Sequence, residues 1–311
     1  MRSTLLAVMM ALSAACTVTV ALAQGAWSVG AELPTPRSEI GAALVDLNIH
    51  VVGGGVGAAQ VTHEILDVPL GRWHTGAPLP VGLNHMGTAS LNGKLYVFGG
   101  SDERGRPTAS SLEYDPATDA WRELTPLPTA RSSPAAAVLN GQVYVAGGVT
   151  AFNTPVVEIY DPATDSWTDG PPLGQGRDHF VLVEDGGKLY AIGGRLGNYA
   201  RNLDIVEVFD PSTGAWTFGA PMPEPRSGIA GAAVDGRIYV FGGEEPRDTH
   251  GEVFVYDPAQ DTWRQDTPMP TPRHGLAAIA VGGRIHVIGG GTSPGGGSDS
   301  SFHEILAPEA P

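Results

Sequence analysis

Short hydrophobic runs separated by turn residues recur along almost the whole chain. Residues 94–98 and 237–241 are examples, and both are rich in the β-branched and aromatic residues that favour strands. Asn-Gly, Asp-Gly or Gly-Gly pairs precede such runs at residues 92–93, 140–141, 186–187, 235–236 and 282–283. These pairs predict tight hairpins, because a type I′ turn needs positive φ at both central residues. The pattern therefore predicts an all-β chain of antiparallel hairpins.

The chain is also periodic on a larger scale. Its six tryptophans are spaced by 46, 48, 46, 49 and 47 residues: Trp27, Trp73, Trp121, Trp167, Trp216 and Trp263. Ten residues after each Trp comes an arginine, replaced once by Leu83, and sixteen residues later comes a glycine pair. An aspartate, usually followed by proline, precedes the next Trp by six residues. A period of this length is typical of a repeat architecture.

These units resemble the kelch repeat, in which a double glycine is followed by a Tyr-Asp-Pro-like step, as at residues 160–162, and then by a Trp. The resemblance covers residues 27 to about 306 in six copies. It implies an all-β, six-bladed β-propeller with one four-stranded blade per repeat. Each Trp would begin an outer strand and pack between blades, and the glycine pair would end the second strand, where backbones approach closely.

The chain ends predict how the ring closes. Trp27 begins an outer strand with no blade before it, whereas residues 303–306 repeat residues 63–66 as a third strand without a fourth. The segment around Trp27 should therefore complete the sixth blade and leave no open strand edge. Blade 1 departs from the pattern at Asp46-Leu47, so the sequence specifies its first hairpin less clearly.

Residues 1–23 are typical of a secretory signal peptide, with Arg2, an apolar stretch and a small-x-small site at residues 21–23. We expect residues 24–311 to form one propeller domain that is secreted or periplasmic, without an integral membrane segment. Cys16 is the only cysteine, so the exported chain would have no disulfide and no thiolate site. A retained membrane helix and lipidation of Cys16 are the alternatives; Ser13 stands where a lipoprotein signal usually has Leu.

The formal net charge of −15 argues against nucleic acid and anionic membranes as partners. The sequence has no P-loop. We expect no cofactor, and a monomer.

Length variation points to one functional face. The interval from the first glycine of each pair to the following aspartate varies from 14 to 17 residues, while the other spacings are constant. This interval contains the loop between strands two and three, which shares the top face with the loop that enters strand one. Loops on a rigid scaffold commonly carry binding. The candidate ligand-binding residues on this face are Arg37, Arg131, Arg177, Arg226, Arg273, His85, His179, His274 and Glu39.

Two interpretations of the arginines remain open. They line the central opening and bind an anion, or they are structural and bond the carbonyl groups of neighbouring blades. Asp178, Glu244 and Glu245 offer internal carboxylates. Glu39, His85, His179 and His274 form a mixed nitrogen and oxygen set, but they follow blade spacing rather than a local ligand motif, so we predict no metal. Copper-radical oxidases of the galactose oxidase type need a cysteine that the exported chain lacks.

The sequence favours a non-catalytic binding module that holds a protein, peptide or acidic glycan on the top face. The alternative is a carbohydrate-active enzyme similar to the kelch-type sialic acid mutarotases. Such an enzyme needs an arginine for the sugar carboxylate and an acid/base group beside it.

Overall fold

The computed structural model describes residues 25–55 and 58–309. All regular elements in these ranges are strands, and they form six antiparallel four-stranded sheets. Both the predicted fold class and the number of blades are confirmed. The predicted signal peptide lies outside the described residues. Within them, no helix is long and apolar enough to span a membrane.

Five blades follow the chain order and the sixth combines the two chain ends. The strands of blades 1 to 3 are β2 (Gly41–Val45), β3 (Asn48–Val52), β4 (His63–Asp67), β5 (Arg72–Thr75); β6 (Gly87–Leu91), β7 (Lys94–Phe98), β8 (Ser111–Asp115), β9 (Ala120–Glu123); and β10 (Ala135–Leu139), β11 (Gln142–Ala146), β12 (Val157–Asp161), β13 (Ser166–Asp169). Those of blades 4 to 6 are β14 (Val181–Asp185), β15 (Lys188–Ile192), β16 (Val206–Asp210), β17 (Ala215–Phe218); β18 (Ser227–Val234), β19 (Arg237–Glu244), β20 (Val253–Asp257), β21 (Thr262–Asp266); and β22 (Ala277–Val281), β23 (Arg284–Ile288), β24 (His303–Ala307), β1 (Ala26–Val29).

The first strands of the blades surround a central channel of about 510 Å³, lined mainly by alanine, valine and other small side chains. The hairpin of blade 1 forms despite its unusual sequence. Val45 pairs with Asn48, and Asp46 adopts a φ of 54° in the turn. Aspartate tolerates this left-handed conformation better than most residues.

The N-terminal strand closes the ring as predicted. β1 pairs with β24 from Ala26 opposite Ala307 to Val29 opposite Glu304. The Trp27 ring lies edge-on to Phe241 of blade 5, with 6.1 Å between ring centroids. The N-terminal strand thus completes the last blade, and the chain then continues from it into blade 1.

Two repeated contacts join neighbouring blades. Each tryptophan donates its indole N–H to a carbonyl group of the preceding blade, as Trp121 does to Ala77 at 2.8 Å. The second glycine of each pair donates its N–H to the carbonyl at the arginine position of the next blade, as Gly243 does to Arg273 at 3.1 Å. The first glycine lies so close that a Cβ on Gly242 would be 2.2 Å from the same oxygen. The repeat signature therefore encodes the contacts between blades.

Candidate functional site

Two consecutive residues from each blade line a cavity of about 110 Å³ where the channel opens on the top face, and its polar side chains all come from the first residues of these pairs. These first residues, which we call the axial ring, lie two positions after the arginine site: Glu39, His85, Ser133, His179, Gly228 and Gly275. All six have positive φ, from 52° to 67°. Their backbones form a chain of hydrogen bonds around the axis, for example from the N–H of Glu39 to Gly275 O at 2.7 Å.

The axial ring holds side chains in an unfavourable backbone conformation. Glycine adopts positive φ without penalty, but for other residues it costs on the order of 1–3 kcal/mol each. Glu39, His85, Ser133 and His179 are the four non-glycine residues of the ring, and each has this unfavourable φ. Strain of this kind is concentrated at functional sites, and here it aims four polar side chains at one opening.

The arginines do not line the opening, which corrects the first interpretation from sequence. Arg37, Arg131, Arg177, Arg226 and Arg273 are all 0% exposed. Four of them pair with a glutamate at the second position of the third strand, as Arg131 does with Glu158 at 2.5 Å. Arg131 also donates to the carbonyl oxygens of Val145 and Val156. Burial lowers the pKa of Arg131 to about 10, so it remains charged at neutral pH.

In the two blades that lack this ion pair, other contacts replace it. In blade 2, Leu83 replaces the arginine and Leu112 replaces the glutamate, and both pack in one core cluster. In blade 5, Phe254 replaces the glutamate, and the Arg226 guanidinium lies 4.5 Å from its ring centroid. Arg226 pairs instead with Glu252 at 2.9 Å. The sequence contains this signal as covariation between repeats: where the arginine is absent, so is the glutamate.

Glu39 is the central acidic group of the axial ring. Its Oε2 lies 3.4 Å from His85 Nε2, and its Oε1 lies 3.3 Å from Nδ1 of the buried His274. Burial raises the pKa of Glu39, but His85 and His274 outweigh burial and hold that pKa well below its usual range. Burial lowers the pKa of His85 to about 4. Burial also acts to lower the pKa of His274, but the carboxylates of Glu39 and Glu244 more than offset it and raise that pKa.

A second polar group continues from His179 toward blade 5. His179 Nδ1 contacts the carboxylate of Asp178, and Arg195 Nη2 lies 2.8 Å from His179 Nε2. Arg195 also binds Asp178 at 3.1 Å and Glu244 at 2.7 Å. Arg195 lies in the variable top-face loop of blade 4, so this loop contacts the axial ring through His179 and is held beside it by two ion pairs.

The structure thus brings Glu39, His85, His179 and His274 together and separates them from the five arginines. Glu39, His85 and His179 each offer a ligand atom, and these atoms all lie within 4.8 Å of one another, so they are able to hold a metal ion. The sequence indicates Asp178 and Glu244 only as internal carboxylates, because the loop geometry that joins them to Arg195 has no repeat signature.

A larger pocket of about 530 Å³ lies beside the axial ring, between the top-face loops of blades 3 and 4. Phe152, which is 82% exposed, Leu196 and Pro155 supply its apolar wall. Arg201 and Gln175 supply polar groups. We call it the blade 3–4 pocket.

Comparison with known proteins agrees with the repeat pattern. The KLHDC2/KLHL20/DRC7 Kelch-repeats domain matches residues 170–306, and the Kelch motif matches residues 83–128 and 130–174. Among curated protein sequences, no match to the chain is found. A solved structure titled "Structure of YjhT" is similar, with a TM-score of 0.79 and 19% identity over 90% of this chain and 97% of that chain. At this identity the likeness shows the fold alone. Family models, blade number and closure agree: the chain belongs to the kelch-repeat β-propeller family.

Proposed function

We propose that the protein is a secreted or periplasmic, non-catalytic binding module that holds a peptide segment of a partner protein on its top face. The blade 3–4 pocket carries this proposal. Its volume of about 530 Å³ is within the range of 300–1,000 Å³ usual for ligand sites. An exposed aromatic ring beside a cation and an amide is the combination that anchors an apolar side chain, a carboxylate and a peptide group.

The burial of the five arginines favours a peptide over an acidic glycan as the ligand. An acidic glycan is one of the three partner classes that the sequence allows, because arginines around the opening would give it a positive charge. Each of them is buried and paired with carboxylate oxygens. Arg201 remains as an exposed cation in the pocket, next to the apolar surface of Phe152. A peptide with an acidic and an apolar side chain fits this pair better than a polyhydroxylated sugar.

The test is selection of peptides from a random displayed library on the exported protein, followed by calorimetry. Phe152→Ala and Arg201→Ala should each weaken binding by about 1–3 kcal/mol, as anchors of an interface do. Phe218→Ala is the matched control, since Phe218 is 71% exposed but lies in β17, outside the pocket. Equal affinity of both pocket variants and the wild type would refute the proposal. N-terminal sequencing of exported material should begin near Gln24.

A specific observation supports the enzyme alternative. The axial ring places a carboxylate with a lowered pKa beside one histidine whose pKa is lowered and another whose pKa is raised. Such opposed shifts mark acid/base pairs. Exchange of sugar anomers, followed by NMR with acidic and neutral sugars, tests it. Catalysed exchange that Glu39→Gln abolishes would favour the enzyme, and spontaneous rates for all sugars would exclude it.

A further inference from the structure

Three metal-ligating side chains converge at the axial ring from blades 1, 2 and 4. Glu39, His85 and His179 occupy the same repeat position and share a φ of 53–55°, so their side chains point at one space. Their candidate ligand atoms lie within 4.8 Å of one another. The hydrogen-bonded backbone of the ring fixes the positions from which these three side chains extend.

Both histidines are oriented as metal ligands usually are. His85 donates its Nδ1–H to Asn84 Oδ1 at 2.9 Å, and Asn84 is itself fixed by donating to Gly55 O at 3.0 Å. His179 directs its Nδ1–H to the carboxylate of Asp178. A hydrogen bond of one ring nitrogen to an amide oxygen or carboxylate is the usual outer shell of a ligating histidine. Each imidazole therefore presents its Nε2 lone pair.

The spacing of His85 and Glu39 matches two ligands of a tetrahedral metal. His85 Nε2 lies 3.4 Å from Glu39 Oε2, which brings two hydrogen-bond acceptors face to face. Bonds of 2.0–2.1 Å to a tetrahedral ion separate neighbouring ligand atoms by about 3.3–3.5 Å. A cation between these two atoms would remove their repulsion. The other oxygen of Glu39 faces His274 Nδ1 at 3.3 Å, which orients the carboxylate.

Arg195 is the internal competitor of such an ion. Its Nη2 lies 2.8 Å from His179 Nε2, on the lone pair that a metal would use. Its Nε and Nη1 bind Asp178 and Glu244 instead, so metal entry displaces only one of its contacts. Removing this guanidinium should therefore strengthen metal binding.

We propose that the axial ring binds one divalent transition-metal ion, with Zn²⁺ the best match, through Glu39, His85 and His179. Two imidazole nitrogens and one carboxylate oxygen form a donor set suited to zinc, with the fourth position open to the cavity. This inference goes beyond the proposed function and does not depend on it. It also departs from the expectation drawn from sequence, because ligands spaced by whole blades leave no local motif.

The experiment is equilibrium dialysis and calorimetry of the full exported chain, stripped with a chelator and titrated with Zn²⁺ or Co²⁺. We expect one equivalent per chain and the visible absorption of four-coordinate Co²⁺. His85→Gly and His179→Gly should each weaken binding more than about 100-fold, since even outer-shell changes cost 10–100-fold. The scaffold tolerates glycine here, because Gly228 and Gly275 hold the same position in blades 5 and 6.

Further variants complete the design. His74→Ala, which removes an exposed histidine of β5, should leave the affinity unchanged. Arg195→Met should bind Zn²⁺ several-fold more tightly than the wild type. Circular dichroism checks that each variant is folded. If His85→Gly does not fold, His85→Asn takes its place, because asparagine tolerates positive φ. The proposal is overturned if neither wild type nor Arg195→Met binds one equivalent, or if the ring variants bind as the wild type does.

Discussion

The ion pair of Arg131 with Glu158 can be replaced by a pair of leucines, as found at the equivalent positions of blade 2. Blade 2 has Leu83 and Leu112 at the two equivalent positions, packed in one core cluster. We therefore compare Arg131→Leu, Glu158→Leu and the double variant. Each single change leaves one buried charge without its partner, whereas the double change removes both charges.

The magnitudes follow from burial. The two side chains are 0% and 4% exposed and lie 2.5 Å apart. Loss of one partner of a buried pair costs about 3–5 kcal/mol, while hydrophobic replacement of both is often neutral. The double variant also loses the bonds from Arg131 to Val145 O and Val156 O and from Thr129 to Glu158. At about 1 kcal/mol each, these losses offset the gain in packing. We expect the free energy of unfolding of the double variant to lie within about 2 kcal/mol of the wild-type value, which gives a coupling energy of about 4 kcal/mol or more.

Guanidinium unfolding followed by tryptophan fluorescence measures these differences. In thermal scans, each single variant should melt roughly 6–20 °C below the wild type, at 2–4 °C per kcal/mol. Additive single effects would refute the coupling. A normal melting temperature for Arg131→Leu, together with lost ligand binding, would restore the interpretation that the arginines act on a ligand.

Three further outcomes are expected. Deleting residues 25–29 exposes the edge of the last blade and should cost several kcal/mol in chemical unfolding, whereas equal midpoints would show that the ring closes without β1. Gly242→Ala should lower the melting temperature far more than Gly236→Ala, because both have positive φ but only the first meets a backbone oxygen, at 2.2 Å. His286 and His303 form a buried pair at 2.8 Å, and burial lowers the pKa of His286 to about 4 and that of His303 below its usual value. The unfolded chain then binds more protons below about pH 6.5, so stability should fall between pH 6.5 and 4. His286→Gln should flatten that slope, and an unchanged profile would exclude this pair as its source.

The architecture was predictable because each repeated residue acts through its type alone. A tryptophan supplies one indole N–H for the preceding blade, as Trp73 does for Ala31 at 2.8 Å. A glycine pair allows the backbone of the next blade to approach so closely that a Cβ would clash with it. These contacts recur at constant spacing, so the period predicts the number of blades and also the way in which the ring closes.

The direction of the arginine side chains was not predictable in the same way. Arg131 and Ser133 are two residues apart, but the first points into the blade and the second lines the axial cavity. Positive φ at Ser133 turns the chain between them. Spacing places both residues on the top face without showing this turn. Only the joint loss of arginine and glutamate in blade 2 indicates that the charges are internal.

The residues that break the repeat give the top face its chemistry. Ion pairs cancel the repeated charges inside the blades, so repetition alone would leave a neutral opening. Glycines at two axial positions make room for the exceptions: a Cβ on Gly275 would lie 2.6 Å from Glu39 Oε1, and one on Gly228 would lie 3.3 Å from His274 Cβ. The small residues of blades 5 and 6 thus accommodate the large ones of blade 1 and its neighbours. The six repeats thus share one backbone arrangement but differ in the side chains at the axial positions. The chemistry of the site lies at the positions where the repeats differ in sequence.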